Sequence, residues 1–236
     1  MALPMMSTPT YNMVVPSSGL TVKYRPFLVK EEKALLIAQQ SEDMMVMVDT
    51  LKSVIKSCVT DKIDIDKLAT FDLEYMFTQI RAKSIGEFSN LIFTCAHCNN
   101  DNNKVRLEID LTKIPIIKDP NHSNKIELFD DVGVLMKYPT IDTLRKGFGR
   151  EEDIDAVMEV VVDCIDAIYN NEEVFYAKEQ TREELMEFVL NLTKPQFDKI
   201  EDFFVTVPKF KQDIEFDCPA CKAHNVTVLE GTQNFF

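Results

Sequence analysis

The chain has no tryptophan, and its 236 residues include only three histidines and six glycines. So few histidines leave little for general acid–base work near neutral pH. So few glycines go with missing phosphate cradles: neither Gly-x-Gly-x-x-Gly nor Gly-x-x-x-x-Gly-Lys occurs. His-Glu-x-x-His and Gly-x-Ser-x-Gly are absent as well. Gly147-Phe148-Gly149 reads as a helix stop. Positive charge is scarce, with 26 basic against 39 acidic residues and a net charge of −13. Such a surface repels phosphate backbones and anionic membranes. No apolar run approaches the ~20 residues that cross a bilayer. Met1 to Met6 carry neither a basic n-region nor an apolar h-region, so no secretory signal is expected. The expectation is a reducing cytoplasm, where paired cysteines bind metal rather than each other.

Against these absences stand two Cys-x-x-Cys knuckles, Cys95-Ala96-His97-Cys98 and Cys218-Pro219-Ala220-Cys221, with Cys98 and Cys218 120 positions apart. Each follows a short apolar run, Leu91-Ile92-Phe93 or Ile214-Glu215-Phe216, and each precedes polar turn residues and a strand-like segment. This is the pattern of a zinc ribbon whose halves lie far apart in the chain. Cys95, Cys98, Cys218 and Cys221 are the candidate metal ligands, and zinc the candidate cofactor. Four thiolates fill a tetrahedral zinc and leave no open position for substrate, so the site is structural. A redox pair would open a helix in a βαβ context, whereas both pairs here sit between strands. His97 and His224 lie beside the knuckles as solvated or supporting groups, and His122 reads as exposed. Cys58 and Cys164 lie on apolar helical faces and read as core residues.

The remaining chain reads as α+β: an N-terminal β-hairpin and helices, a split zinc-ribbon β-element, and an inserted α-rich region. Tyr11–Val15 and Leu20–Tyr24 flank the turn Pro16-Ser17-Ser18-Gly19. A helix follows over Lys30 to Gln40, then one capped by Ser41 with Met44, Val48, Leu51, Ile55 and Cys58 on one stripe. A third runs from about Asp66 to Lys83, turning Leu73, Met76, Phe77 and Ile80 inward. Lys104 to Leu111 alternates as a half-buried strand, and Lys125–Phe129 and Val132–Met136 are two more. Thr140 or Asp142 caps a short helix. A helix is expected from Glu151 to Tyr169, with Ile154, Val157, Val161, Ile165 and Ile168 on one face and acidic residues at its start. Thr181-x-x-Glu184 and Thr193-x-x-Gln196 are capping boxes, the second opening a helix with Phe197, Ile200 and Phe204 inward. The expected domains are residues 1–90 (hairpin and helices), 91–112 with 212–236 (the ribbon), and 113–211 (the mainly helical insertion).

No catalytic constellation emerges; the acidic clusters at Asp61, Asp64 and Asp66 and at Glu151, Glu152 and Asp153 read as solvated faces or helix starts. Ribbons that bind nucleic acid bring a basic face. Here the knuckle tips offer Asn99 to Asn103, Lys104, Lys222 and His224, which is polar and hardly cationic. Protein association remains. Met45 and Met47 offer a docking face, and Phe235-Phe236 either folds back into the core or anchors in another subunit.

Several stretches are similar to a known family: Tyr24-Arg25-Pro26-Phe27-Leu28-Val29-Lys30-Glu31-Glu32-Lys33, Phe71-Asp72-Leu73-Glu74-Tyr75, Arg81-Ala82-Lys83-Ser84-Ile85-Gly86-Glu87, Asp131-Val132-Gly133-Val134 and Tyr138-Pro139-Thr140. In this order they resemble a baseplate hub subunit or hub assembly family of T4-like tailed phages, over most of the chain from about residue 8. The resemblance implies a non-enzymatic structural or assembly protein of the baseplate central hub. Its partners would be other hub, spike and tail-tube-initiating proteins, and its place the host cytoplasm during assembly or the virion's tail baseplate. It supplies no catalytic residues, and Arg25, Lys30, Glu31, Arg81 and Lys83 are candidates only for structural or contact roles or ordinary surface salt bridges. A zinc-ribbon nucleic-acid-binding regulator is the alternative.

Overall fold

A computed structural model describes residues 7–98, 102–147 and 153–231. Phe148 and Gly149, Glu151 and Glu152, and Phe235 and Phe236 lie outside the described residues. In chain order the strands are β1 (Tyr11–Val14), β2 (Thr21–Tyr24), β3 (Phe88–Thr94), β4 (Lys104–Asp110), β5 (Ile116–Ile117), β6 (Lys125–Phe129), β7 (Val132–Met136), β8 (Ile165–Tyr169), β9 (Val174–Tyr176), β10 (Lys209–Asp217) and β11 (His224–Glu230). The helices are α1 (Val29–Gln40), α2 (Met44–Cys58), α3 (Thr70–Ser84), α4 (Ile141–Gly147), α5 (Ile154–Cys164), α6 (Arg182–Leu190) and α7 (Lys194–Thr206). The fold is mixed α+β, and it divides into two compact units.

The first unit draws on the spans Met1–Ile65, Phe71–Ile117 and Lys209–Phe236. Its opening hairpin pairs Tyr11 with Tyr24 and Val14 with Thr21, and Gly19 takes the left-handed conformation (φ 69°) that the reversal needs. Alternation turns Met13, Val15, Val22 and Tyr24 inward. The fully buried Asp72 of α3 accepts hydrogen bonds from the Ser17 N–H (2.8 Å) and hydroxyl (2.5 Å), which ties the hairpin turn to that helix. Leu73, Met76, Phe77 and Ile80 of α3 are buried, as their spacing predicts. Arg25 and Glu31 are not a surface pair. Glu31 is 6% exposed and accepts from Arg25 Nη2 (3.0 Å) and the Leu28 N–H (2.7 Å), closing the first turn of α1. A charge so enclosed is held by its partners, because losing either would strand the other.

Asp43, not Ser41, caps α2. Its carboxylate accepts from the Met45 and Val46 N–H groups at 2.8 and 3.4 Å, while the Ser41 hydroxyl donates to the Ala38 carbonyl and closes α1. Glu42, left-handed at φ 54°, breaks the chain between the two helices. Cys58 is fully buried at the end of α2.

The second unit comprises Asp66–Thr70 and Lys118–Pro208. It holds a four-stranded antiparallel sheet in the order β6-β7-β8-β9, against which α5, α6 and α7 pack Val161, Val162, Leu185, Val189, Phe197, Ile200 and Phe203. The helix expected to Tyr169 ends at Cys164, and Ile165–Tyr169 continues as β8 paired with β7. The sequence Ile-Asp-Ala-Ile-Tyr alternates as well as it repeats every third or fourth residue, and the neighbouring strand decides in favour of extension. Phe203, rather than Phe204, takes the core position in α7. Thr140 caps α4 through its hydroxyl (3.2 Å to the Thr143 N–H), and both predicted capping boxes form. Gly133 admits no side chain: a Cβ there would collide with the Tyr169 ring and the Ile126 carbonyl oxygen.

His122 is half-buried rather than exposed. Its ring stacks on Tyr138 (5.5 Å) and lies 5.1 Å from Phe203, Nδ1 shares a proton with the Thr206 hydroxyl (2.9 Å), and burial holds its pKa below the usual histidine value.

Candidate metal centre

Two antiparallel hairpins of the first unit build the centre. In β3–β4 the alternation places Ile109 in the core with Leu91, Phe93, Val105 and Leu107 half-buried; in β10–β11 Phe210, Ile214, Phe216 and Leu229 are buried. Each first strand ends in the same pattern, Phe-x-Cys-x-x-Cys, at Phe93 and at Phe216. The two phenyl rings lie 5.8 Å apart and form an apolar floor beneath the cysteines.

The turns above that floor bring the sulfurs together. The Cys95 N–H donates to the Asn103 carbonyl (3.0 Å) and the Cys218 N–H to the Ala223 carbonyl (2.9 Å), so each knuckle closes on its own second strand. Lys222, left-handed at φ 62°, completes the later turn and donates its N–H to the Cys218 carbonyl. The four Sγ atoms of Cys95, Cys98, Cys218 and Cys221 lie within 4.8 Å of one another, with Cys95–Cys221 and Cys98–Cys218 each at 3.8 Å. A tetrahedron with metal–sulfur bonds of about 2.3 Å has edges of about 3.8 Å, whereas a disulfide needs about 2.05 Å. All six cysteines are free thiols. The cluster has the dimensions of a four-thiolate metal site, and it can hold a metal ion.

Two buried asparagines support it. Asn225 accepts the Ala96 N–H (3.0 Å) and donates to the Ala223 carbonyl (2.9 Å), fastening the late hairpin to the early knuckle. Asn103 donates to the Cys98 carbonyl at 2.9 Å. Asn225 carries no signal in the sequence, and Asn103 reads only as one of a polar run. Both act by filling backbone hydrogen bonds that a tight turn leaves open. The His97 N–H donates to Cys95 Sγ (3.3 Å) while its imidazole is exposed, and His224 pairs with Asp217 (3.0 Å); neither ring joins the cluster.

The thiols divide by environment. Burial raises the Cys95 pKa, but the His97 N–H, the Asn225 side chain and the thiols of Cys218 and Cys221 outweigh it and bring Cys95 down to about 6. The Cys221 and Ala220 N–H groups pull Cys218 down as well. Burial pushes Cys58 up to about 11 and Cys164 up to about 12. The Ala223 N–H lowers Cys221, but burial and the thiols of Cys218, Cys98 and Cys95 outweigh it and push Cys221 up to about 11. Cys95 and Cys218 therefore favour the thiolate, while Cys221, Cys58 and Cys164 favour the thiol.

A cleft of about 490 Å³ in the second unit is lined by Lys137, Asp163, Asp166, Tyr176, Lys178 and Arg182 among others, with no His, Cys or Ser in its lining. Arg182 is engaged by Asp163 (2.6 Å) and Glu159, and Lys146 pairs with the same Asp163. Its walls hold ion pairs rather than a nucleophile beside a base.

No helix among the described residues is long and apolar enough to cross a membrane. Neither the curated proteins nor the solved structures contain a match to this chain. A comparison with protein families matches residues 8–236 to the one described as T4 bacteriophage base plate protein. Spanning nearly the whole sequence, that match shows that the chain belongs to the T4 bacteriophage base plate protein family.

Proposed function

We propose that this protein is a non-enzymatic structural or assembly subunit of the central hub of a phage tail baseplate. It acts by binding neighbouring hub, spike and tail-tube-initiating proteins on a scaffold stapled by zinc. The family match over residues 8–236 carries the baseplate part of this reading. The hub assignment rests on the resemblance of the Tyr24–Lys33 and Phe71–Tyr75 stretches, among others, to hub proteins. Zinc is the metal that four thiolates within 4.8 Å of one another, two of their edges at 3.8 Å, suit best, and a filled sphere makes the site a clamp rather than a catalyst. The protein would work in the host cytoplasm while the baseplate is built, and the finished tail is the second place to look for it.

Affinity capture from an infected-cell lysate tests the role. Co-purification of other hub proteins is expected. Absence of any such partner, together with normal hub assembly when the gene is disrupted, would end the hub reading. A salt-sensitive affinity for DNA would instead favour a nucleic-acid regulator, against which the charge of −13 argues.

A further inference from the structure

β11 is the outer strand of the β11-β10-β5 sheet, and among the described residues no strand pairs with its other side. The bond from the Cys218 N–H to the Ala223 carbonyl, followed by an unbroken register to Lys211↔Glu230, sets the phase of the ladder. In an antiparallel ladder the backbone groups of alternate residues face opposite neighbours. Asn225, Thr227 and Leu229 therefore direct theirs to β10, while His224, Val226 and Val228 direct theirs outward. The side chains of these last three stand on the exposed face, where Val226 is 61% and Val228 48% exposed. Exposed edges are ordinarily blunted by proline, lysine or a bulge. The sequence His-Asn-Val-Thr-Val-Leu-Glu contains none of these.

We propose that β11 pairs antiparallel with β11 of a second copy of this chain, about a two-fold axis through Thr227. The strand is self-complementary in that register. His224 stands opposite Glu230, Val226 opposite Val228, and Thr227 opposite itself, so both ends join an imidazole to a carboxylate and the centre joins valines. Moving the axis by one residue sets His224 against Val228 or Glu230 against Val226 and loses the charged ends. The bonding phase agrees, because Val226 and Val228 present outward N–H and C=O groups to the same pair on the partner. A two-fold pairing of this kind uses one patch twice and closes on itself, joining two three-stranded sheets into one. The −13 charge of each copy, with Asp213, Glu215 and Asp217 on the neighbouring strand, opposes the pairing. Association is therefore weak and rises with concentration. It does not depend on the hub assignment.

Sedimentation equilibrium of the full chain tests the proposal. The weight-average mass should climb from 27.1 kDa towards twice that value with concentration. Amide exchange should slow at Val226 and Val228 in step with it, while Thr227 and Leu229 stay as they are. Val228→Pro removes an outward N–H that the intrachain ladder does not use, and should abolish the dimer while keeping the fold. His224→Glu sets like charges at both ends and should weaken association roughly tenfold. Adding Glu230→Lys should restore it, which decides the matter even where the proline variant fails to fold. A mass fixed at 27.1 kDa at every concentration overturns the proposal and leaves the edge to a strand of other chemistry. A dimer indifferent to His224→Glu, or one that the double variant fails to restore, overturns it equally.

Discussion

If the four-cysteine cluster is the proposed zinc clamp, Cys218→Ser should abolish metal binding and cost this protein much of its stability. The Cys218 thiol is buried, 3.8 Å from Cys98 Sγ, and the two residues lie 120 positions apart in the chain. A cross-link spanning a loop of that length removes chain entropy worth about 5 kcal/mol from the unfolded state. The metal–thiolate bonds add to this, since structural zinc sites bind with about 10–16 kcal/mol at neutral pH. About 5 kcal/mol is thus a lower bound, against a total of about 5–15 kcal/mol for a typical domain. For a chain of this size the loss lowers Tm by about 10–20 °C. The assay is metal content per chain, read beside thermal unfolding in reducing buffer with and without a chelator. The expected result is about one zinc per chain in the parent protein, none in the variant, and a chelated parent that melts with the variant. A metal-free parent that melts at the same temperature as the metal-loaded one, or a Cys218→Ser variant with the parent's Tm, would refute the clamp.

Three other substitutions have outcomes fixed by local structure. Burial, with repulsion from Glu230, raises Glu74 from 4.5 to about 7, so stability falls as pH rises from 4.5 to 7 and the loss, about 3 kcal/mol, is complete above 7. Glu74→Gln should therefore raise Tm at pH 8 and leave it unchanged at pH 4.5, as thermal melts at the two values will show. Gly133→Ala should destabilise by about 2–3 kcal/mol in urea unfolding, because neither the Tyr169 ring nor the Ile126 carbonyl can yield to a methyl group. His122 has a lowered pKa, so protons bind the unfolded chain more tightly and stability is lost as pH falls through about 6.5. His122→Phe keeps the stack on Tyr138 and should flatten that acid limb in melts followed from pH 8 to pH 5.

Signals carried by neighbouring residues are legible in the sequence alone. The hairpin around Gly19, the stripe Leu73, Met76, Phe77 and Ile80, and the capping boxes at Thr181 and Thr193 are set by local geometry, and the structure repeats them. The two Cys-x-x-Cys turns are equally plain, since the spacing lets both sulfurs of one turn face one point. Where two local answers are nearly equal, the sequence does not choose. Ser41 and Asp43 are both good caps, and Glu42 in the left-handed region decides for Asp43. Ile165–Tyr169 suits a helix or a strand until β7 offers its edge. His122 looks like a loop residue until Tyr138, Phe203 and Thr206 close around it.

The sequence by itself determined most of the elements (β8 apart), the acid-rich composition and the four thiols, because these depend on residue type and on spacings of two to four. Only the tertiary structure decided that sulfurs 120 positions apart stand 3.8 Å from each other, and that Asn225 rather than a histidine fastens the late hairpin to the early knuckle. It also decided which edge of β11 no strand among the described residues pairs with. Such pairings depend on how distant segments exclude water from a shared core and fill each other's backbone hydrogen bonds, and no local pattern encodes that.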